Sequence, residues 1–97
     1  MIQRIVLVKF SEDTTADQLL EVIERFKALK EHLTGIVELH AGLNISERNK
    51  EYQVVLMVRF EDRASLDAYV TDPNHQAVAN YIKEVGRVDS IGVDIEI

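Results

Sequence analysis

Hydrophobic and polar positions along this chain outline four strands and two helical regions. IVLVKF, preceded by Ile2-Gln3-Arg4, is rich in β-branched residues. Its side chains divide by parity into Ile2, Arg4, Val6, Val8, Phe10 and Gln3, Ile5, Leu7, Lys9, so a first strand here is apolar on both faces in its middle. After Ser11-Glu12-Asp13, Thr15 and Gln18 match a Thr-x-x-Gln capping box, and Asp17 adds negative charge to the first turn. Leu19, Leu20, Ile23, Phe26, Leu29 and Leu33 follow near helical spacing, with Glu21 and Arg25 four apart on the solvated side. The pattern predicts a helix to about Leu33, stopped by Gly35.

Residues 36 to 45, IVELHAGLNI, alternate Val37, Leu39, Ala41, Leu43 against Glu38, His40, Gly42, Asn44, as a half-exposed strand does. Gly42 within it points to a bulge or close packing. SERNKE is a turn, and EYQVVLMVRF is the strongest strand in the chain, with Tyr52, Val54, Leu56, Val58 and Phe60 on one face and Val55 and Met57 on the other. A strand apolar on both sides needs cover on both sides. Asp62 can cap a short helix carrying Leu66, Ala68, Tyr69 and Val70, which ends at Thr71-Asp72-Pro73 because the residue before proline is pushed out of helical geometry. Asp72 then becomes an N-cap and Pro73 the first residue of a further helix, NHQAVANYIKEVG, closed by Gly86. RVDSIGVDIEI places Ile91, Val93, Ile95 and Ile97 on one face and Gly92, Asp94, Glu96 on the other.

The order βαββαβ, with its second helix broken in two, predicts an α+β fold of ferredoxin-like type: an antiparallel four-stranded sheet with both helical regions on one face. The other face is then bare although strands one and three carry apolar residues on it. A second copy of the same sheet is the economical cover, so a homodimer through the open sheet face is expected.

Ninety-seven residues make a single domain, residues 1 to 97, without a linker-like stretch at which to divide it. A chain of this size buries only about 60–68% of its unfolded surface, which also favours a partner. Hydrophobic residues at 46% and charged ones at 29% suit a globular protein. The net charge of −6, with basic residues scattered among acids, argues against nucleic acid as a partner. The longest apolar run falls short of the roughly 18 residues of a membrane span, and Arg4 and Lys9 interrupt the first one; no membrane association and a cytoplasmic location are expected. The absence of cysteine removes thiolate chemistry and zinc–thiolate sites. His32, His40 and His75 lie far apart without acids at ligand spacing, so neither a metal nor another cofactor is expected.

His75 is the residue that speaks to chemistry. With Asp72 as N-cap it is the third residue of its helix, and Val78, Ala79, Ile82 and Val85 follow on the inward stripe. A helix N-terminus and desolvation both disfavour imidazolium, while the Asp72 carboxylate favours it. A neutral inward histidine beside the Tyr69 hydroxyl can act as a general base or a hydrogen-bonding electrophile. The alternative is a purely structural pair, a histidine bonded to backbone or tyrosine and a tyrosine packed in the core. Arg4 shares parity with Val6, Val8 and Phe10. It either projects to the side of His75, where it can bind a carboxylate or enolate oxygen, or pairs with an acid such as Asp94. His32 and His40 read as solvated surface groups, and Tyr52 and Phe60 as core packing.

IVLVKF, the TGI turn into a strand bearing Gly42 and Asn44, the join FEDRASLDAYVTDPNH and the closing strand VDSIGVDI together resemble the stress-responsive dimeric A/B-barrel (Dabb) family over nearly the whole chain. The most specific piece is the aromatic-x-x-x-Pro-x-His stretch from Tyr69 to His75. The resemblance implies a dimeric α/β barrel, two sheets face to face with helices outside. It also implies a ligand site, because a plant polyketide cyclase of the family uses a histidine and a tyrosine of this stretch with a first-strand histidine in an aldol-type ring closure. His75 and Tyr69 match two of those positions, and Arg4 stands at the third; Asp72 and Thr34 also depart from residues common in the family.

The function expected is therefore a stress-responsive Dabb-type protein of unassigned activity that binds a small apolar or carbonyl ligand between helices and sheet. One alternative is a cofactor-independent cyclase- or isomerase-like enzyme with His75 as acid/base, Tyr69 as its partner and Arg4 as anion anchor. A second is a cofactorless monooxygenase-like member of the same fold.

Overall fold

In the computed structural model, which describes Met1–Ile97, the chain runs β1 (Ile2–Phe10), α1 (Ala16–His32), β2 (Ile36–Leu43), β3 (Tyr52–Phe60), α2 (Arg63–Thr71), α3 (Pro73–Glu84) and β4 (Arg87–Glu96). The helix starts are where short polar side chains can satisfy free backbone donors. Thr15 and Gln18 close the full capping box of α1, Asp62 accepts from the Ser65 amide at 2.8 Å, and Asp72 accepts from the Asn74 amide at 2.8 Å with Pro73 behind it. Gly35 (φ +83°) and Gly86 (φ +117°) turn the chain back into strands in the left-handed region that glycine enters at little cost. A Cβ on Gly35 would also run into the Ser65 side chain.

The strands form one antiparallel sheet in the order β2-β3-β1-β4, so the ferredoxin-like prediction holds. Val8, Phe10, Val54, Leu56, Val58 and Phe60 meet Val22, Ile23, Phe26, Leu29, Leu66, Tyr69, Val78 and Ile82 in a single core. Each fully buried side chain of this kind contributes about 1.5–3 kcal/mol. On α1 the inward stripe includes Val22, fully buried, whereas Leu20 is 51% exposed; the spacing i, i+3, i+4 selects 19, 22, 23 and 26, and Leu20 falls off it.

Three register shifts correct the simple alternation. Ile36 pairs with Phe60 and Glu38 with Arg59, so Val37 is the extra residue and Ile36 takes the inward place expected of it. Gly42 pairs regularly with Val55 and has open space around it, so the bulge expected at Gly42 lies at Val37 instead. Val54 pairs with Val8 but Tyr52 with Lys9, leaving Gln53 over. That extra residue turns Tyr52 out of the core to the open face, where it stacks under the Lys9 ammonium and donates to Asp89. Against β4, Lys9 pairs with Asp89 and Phe10 with Arg87, so Val88 is extra.

Two surfaces stay bare. On the side away from the helices Ile5, Leu7, Val55 and Met57 adjoin Ile91, Val93 and Ile95, which are 44%, 49% and 52% exposed. On the helix side, the helical layer covers β2, β3 and β1 but stops short of β4, all ten residues of which are exposed. The gap between α3 and β4 is where the candidate site lies.

Candidate functional site

A cavity of about 300 Å³ occupies that gap, and Arg4, Tyr69 and His75 all line it. Val6, Val8, Phe26, Leu56, Ala79 and Ile82 supply its apolar walls, and Arg87, Ser90 and Gly92 its β4 side. Pockets of this size hold small organic molecules. The parity of β1 delivers Arg4 above Val6 and Val8 on the covered face; the stripe of α3 delivers His75 with Ala79 and Ile82. The three candidates of the sequence therefore do converge, while His40 bonds Glu38 on the open face and stands apart from them.

Tyr69 is 3% exposed, wedged edge-on to Phe60 (centroids 5.1 Å, 63°) and stacked at a tilt on His75 (4.2 Å, 37°). Burial pushes its hydroxyl up to about 12, with Arg4 pulling weakly the other way, so it remains a proton donor at neutral pH. No sealed side-chain oxygen or nitrogen in the protein lacks a partner. The Tyr69 hydroxyl has no bond to the protein, so its oxygen opens to a space that Tyr69 lines; of the two such spaces, the Arg4 charge acting on it marks the cavity rather than the smaller hollow beside His32 and Asp72.

His75 Nδ1 lies 3.3 Å from the Val70 carbonyl oxygen. A carbonyl only accepts, so Nδ1 carries the proton and Nε2 keeps its lone pair. Desolvation lowers the His75 pKa, and Arg4 lowers it further, against the Val70 bond and the Asp72 charge. The ring is thus a neutral base with Nε2 free. Arg4 combines both expectations held for it: it lines the cavity and also pairs with Asp94 in a fork, Nε to Oδ1 at 2.8 Å and a terminal nitrogen to Oδ2 at 3.0 Å. The fork uses two of five N–H donors and fixes the guanidinium plane, leaving the others for a ligand. A free hydrogen-bond donor, a cation and an unprotonated base around one apolar space can bind a carbonyl oxygen and face the carbon beside it.

Sequence reasoning missed the β4 wall. Gly92 lies opposite Val6, and a Cβ there would meet nothing nearer than a Val6 methyl at 4.0 Å, so the cavity stays open on that side for want of a side chain. Its parity with Asp94 was the available signal. Arg87 carried none, since only the extra residue Val88 turns it to the cavity face.

The model of the family described as Stress responsive A/B Barrel Domain matches residues 2–97. Among solved structures, the chain is similar to a dimeric protein of unknown function and ferredoxin-like fold from Bacteroides fragilis, at 25% identity and TM-score 0.82, covering 99% of this chain and 95% of that one. The hydroxynitrile lyase of Passiflora edulis shares the fold at 13% identity and TM-score 0.85, covering 99% and 92%. An antibiotic biosynthesis monooxygenase does so at 14% identity and TM-score 0.79, covering 100% and 98%. No curated protein matches the chain. No helix is long and apolar enough to cross a membrane.

Proposed function

The chain belongs to the stress responsive A/B barrel domain (Dabb) family, and from that premise we propose that it binds a small, largely apolar carbonyl compound in the cavity between helices and sheet, as a homodimer joined through the open sheet face. The observation that carries the binding reading is the unpartnered Tyr69 hydroxyl, buried with its residue yet open to a cavity of about 300 Å³ that Arg4 and His75 share. A protein built only for stability would fill that space or satisfy that donor. The dimer reading is supported by the bare apolar face of Ile91, Val93 and Ile95 and by the dimeric relative from Bacteroides fragilis.

The test is thermal unfolding with alkyl phenyl ketones of increasing chain length. Occupancy at a hundred times Kd stabilises by about 2.7 kcal/mol, a shift of many degrees for a domain of this size. Gly92→Phe, which puts a ring into the open wall, should abolish the shift without disturbing the fold. No shift with any ketone, or an equal shift in Gly92→Phe, would sink the proposal.

The free Nε2 of His75 favours a second reading, proton transfer on the bound carbonyl compound. Nε2 takes a proton from the carbon next to the carbonyl, and the Tyr69 hydroxyl and Arg4 hold the enolate oxygen that results. Wild-type protein should then speed deuterium exchange at that carbon in a bound ketone, followed by NMR. His75→Ala should keep binding and lose the exchange; equal exchange in both rules the reading out.

A further inference from the structure

The cavity has a second cationic end. Arg87 reaches its β4 side only because the extra residue Val88 breaks the alternation of β4 and turns Arg87 to the face of Ser90 and Gly92. Arg87 pairs across from Phe10 and Arg4 stands six residues earlier on β1, about 20 Å away along the strand. Between them the floor is Val6 and Val8. The two arginines differ in what they have left to give. Arg4 is matched by Asp94 in a two-bond fork, whereas Arg87 makes no ion pair; the Asp89 carboxylate, which accepts from Tyr52 on the open face, acts on it only from a distance. No acid lines the cavity, in a chain whose net charge is −6.

We infer that the natural ligand is an elongated keto acid, or a close relative, with its carbonyl oxygen at Tyr69 and Arg4 and its carboxylate at Arg87 and Ser90. The inference rests on the binding reading above and adds an anionic group and a length to it. The carboxylate belongs at Arg87 because that guanidinium has no ion-pair partner in contact, Asp89 acting on it only from a distance, and can take a carboxylate bidentately, with the Ser90 hydroxyl adding a donor. At Arg4 it would meet a charge already neutralised and push against Asp94. Gly92 lies between the two ends and leaves room for the chain.

Titration calorimetry with ω-benzoylalkanoates of increasing chain length, each against its methyl ester, tests the inference. Wild type should prefer acid over ester by about tenfold at one optimal length. Arg87→Gln should erase the preference, weakening the acid to the level of the ester. Arg4→Gln should weaken acid and ester alike and keep their ratio. Equal binding of acid and ester, or a preference that survives Arg87→Gln, overturns the anionic end while leaving the cavity reading intact. Failure of both acid and ester to bind overturns both.

Discussion

Replacing Tyr69 by Phe deletes one oxygen and leaves the ring to pack against Phe60 and His75 as before. A buried tyrosine whose hydroxyl is bonded within the protein loses that bond and orphans its partner on such a change, at a cost of about 1–3 kcal/mol. Here the hydroxyl has no protein partner, so no bond breaks and no partner is orphaned. Tyr69→Phe should therefore unfold in urea within about 0.5 kcal/mol of wild type. Tyr69→Ala, which empties the space of a side chain only 3% exposed, should lose about 3–5 kcal/mol, and the contrast shows that the assay can see this position. Protein concentration is held fixed, because dimerisation would otherwise enter the midpoint. In ligand binding the order changes: Tyr69→Phe should weaken a ketone by about fivefold, the worth of one neutral hydrogen bond near 1 kcal/mol. A melting temperature more than about 4 °C below wild type for Tyr69→Phe corresponds to roughly 1 kcal/mol in a domain of this size. That result would mean the hydroxyl is held inside the protein and is not on offer to a ligand.

Burial depresses the His75 pKa in the folded protein, so its contribution to stability is fully present above the unfolded value near 6.5 and is lost as pH falls through the lower folded value. Wild type should lose more stability than His75→Gln between pH 7 and pH 5 in urea titrations, and parallel curves would contradict a desolvated imidazole. Val93→Lys puts a charge in the middle of the open apolar face and should yield folded monomer by sedimentation; a wild type that is already monomeric at micromolar concentration removes the dimer proposal. Gly35→Ala forces a left-handed φ of +83° on a residue with a Cβ and drives that carbon into Ser65, and should cost about 1–3 kcal/mol in urea unfolding with ketone binding unchanged.

The fold was legible because its elements announce themselves locally. The capping box of Thr15 and Gln18, the Asp72-Pro73 stop and the glycines at positions 35 and 86 act within a few residues, and each does in space what it signals in sequence. Parity alone put Arg4 on the side of His75. What escaped were the extra residues Val37, Gln53 and Val88, since a bulge is fixed by pairing with a neighbouring strand and leaves no mark in its own. Tyr52 and Arg87 changed faces for this reason, one leaving the core and the other joining the cavity. Gly42, where a glycine suggested irregularity, pairs without any. The bareness of β4 was likewise invisible, because it depends on how far the helical layer reaches across the sheet.

The break between α2 and α3 does more for the site than separate two helices. Tyr69 and His75 are six residues apart; on a continuous helix that spacing turns them by about 240° and lifts one above the other by roughly 9 Å. Two rings so placed face different sides and never touch. Asp72 leaves the helical region at ψ 134°, Pro73 restarts the helix, and the rings come to 4.2 Å with both on the cavity. The same break frees the Val70 carbonyl, whose helical partner would be the amide of the fourth residue on, Asn74. That amide is instead taken by the Asp72 carboxylate, and Val70 accepts from His75 Nδ1. The N-cap that stops one helix thus also fixes the tautomer of the histidine in the next, and leaves Nε2 as its free nitrogen.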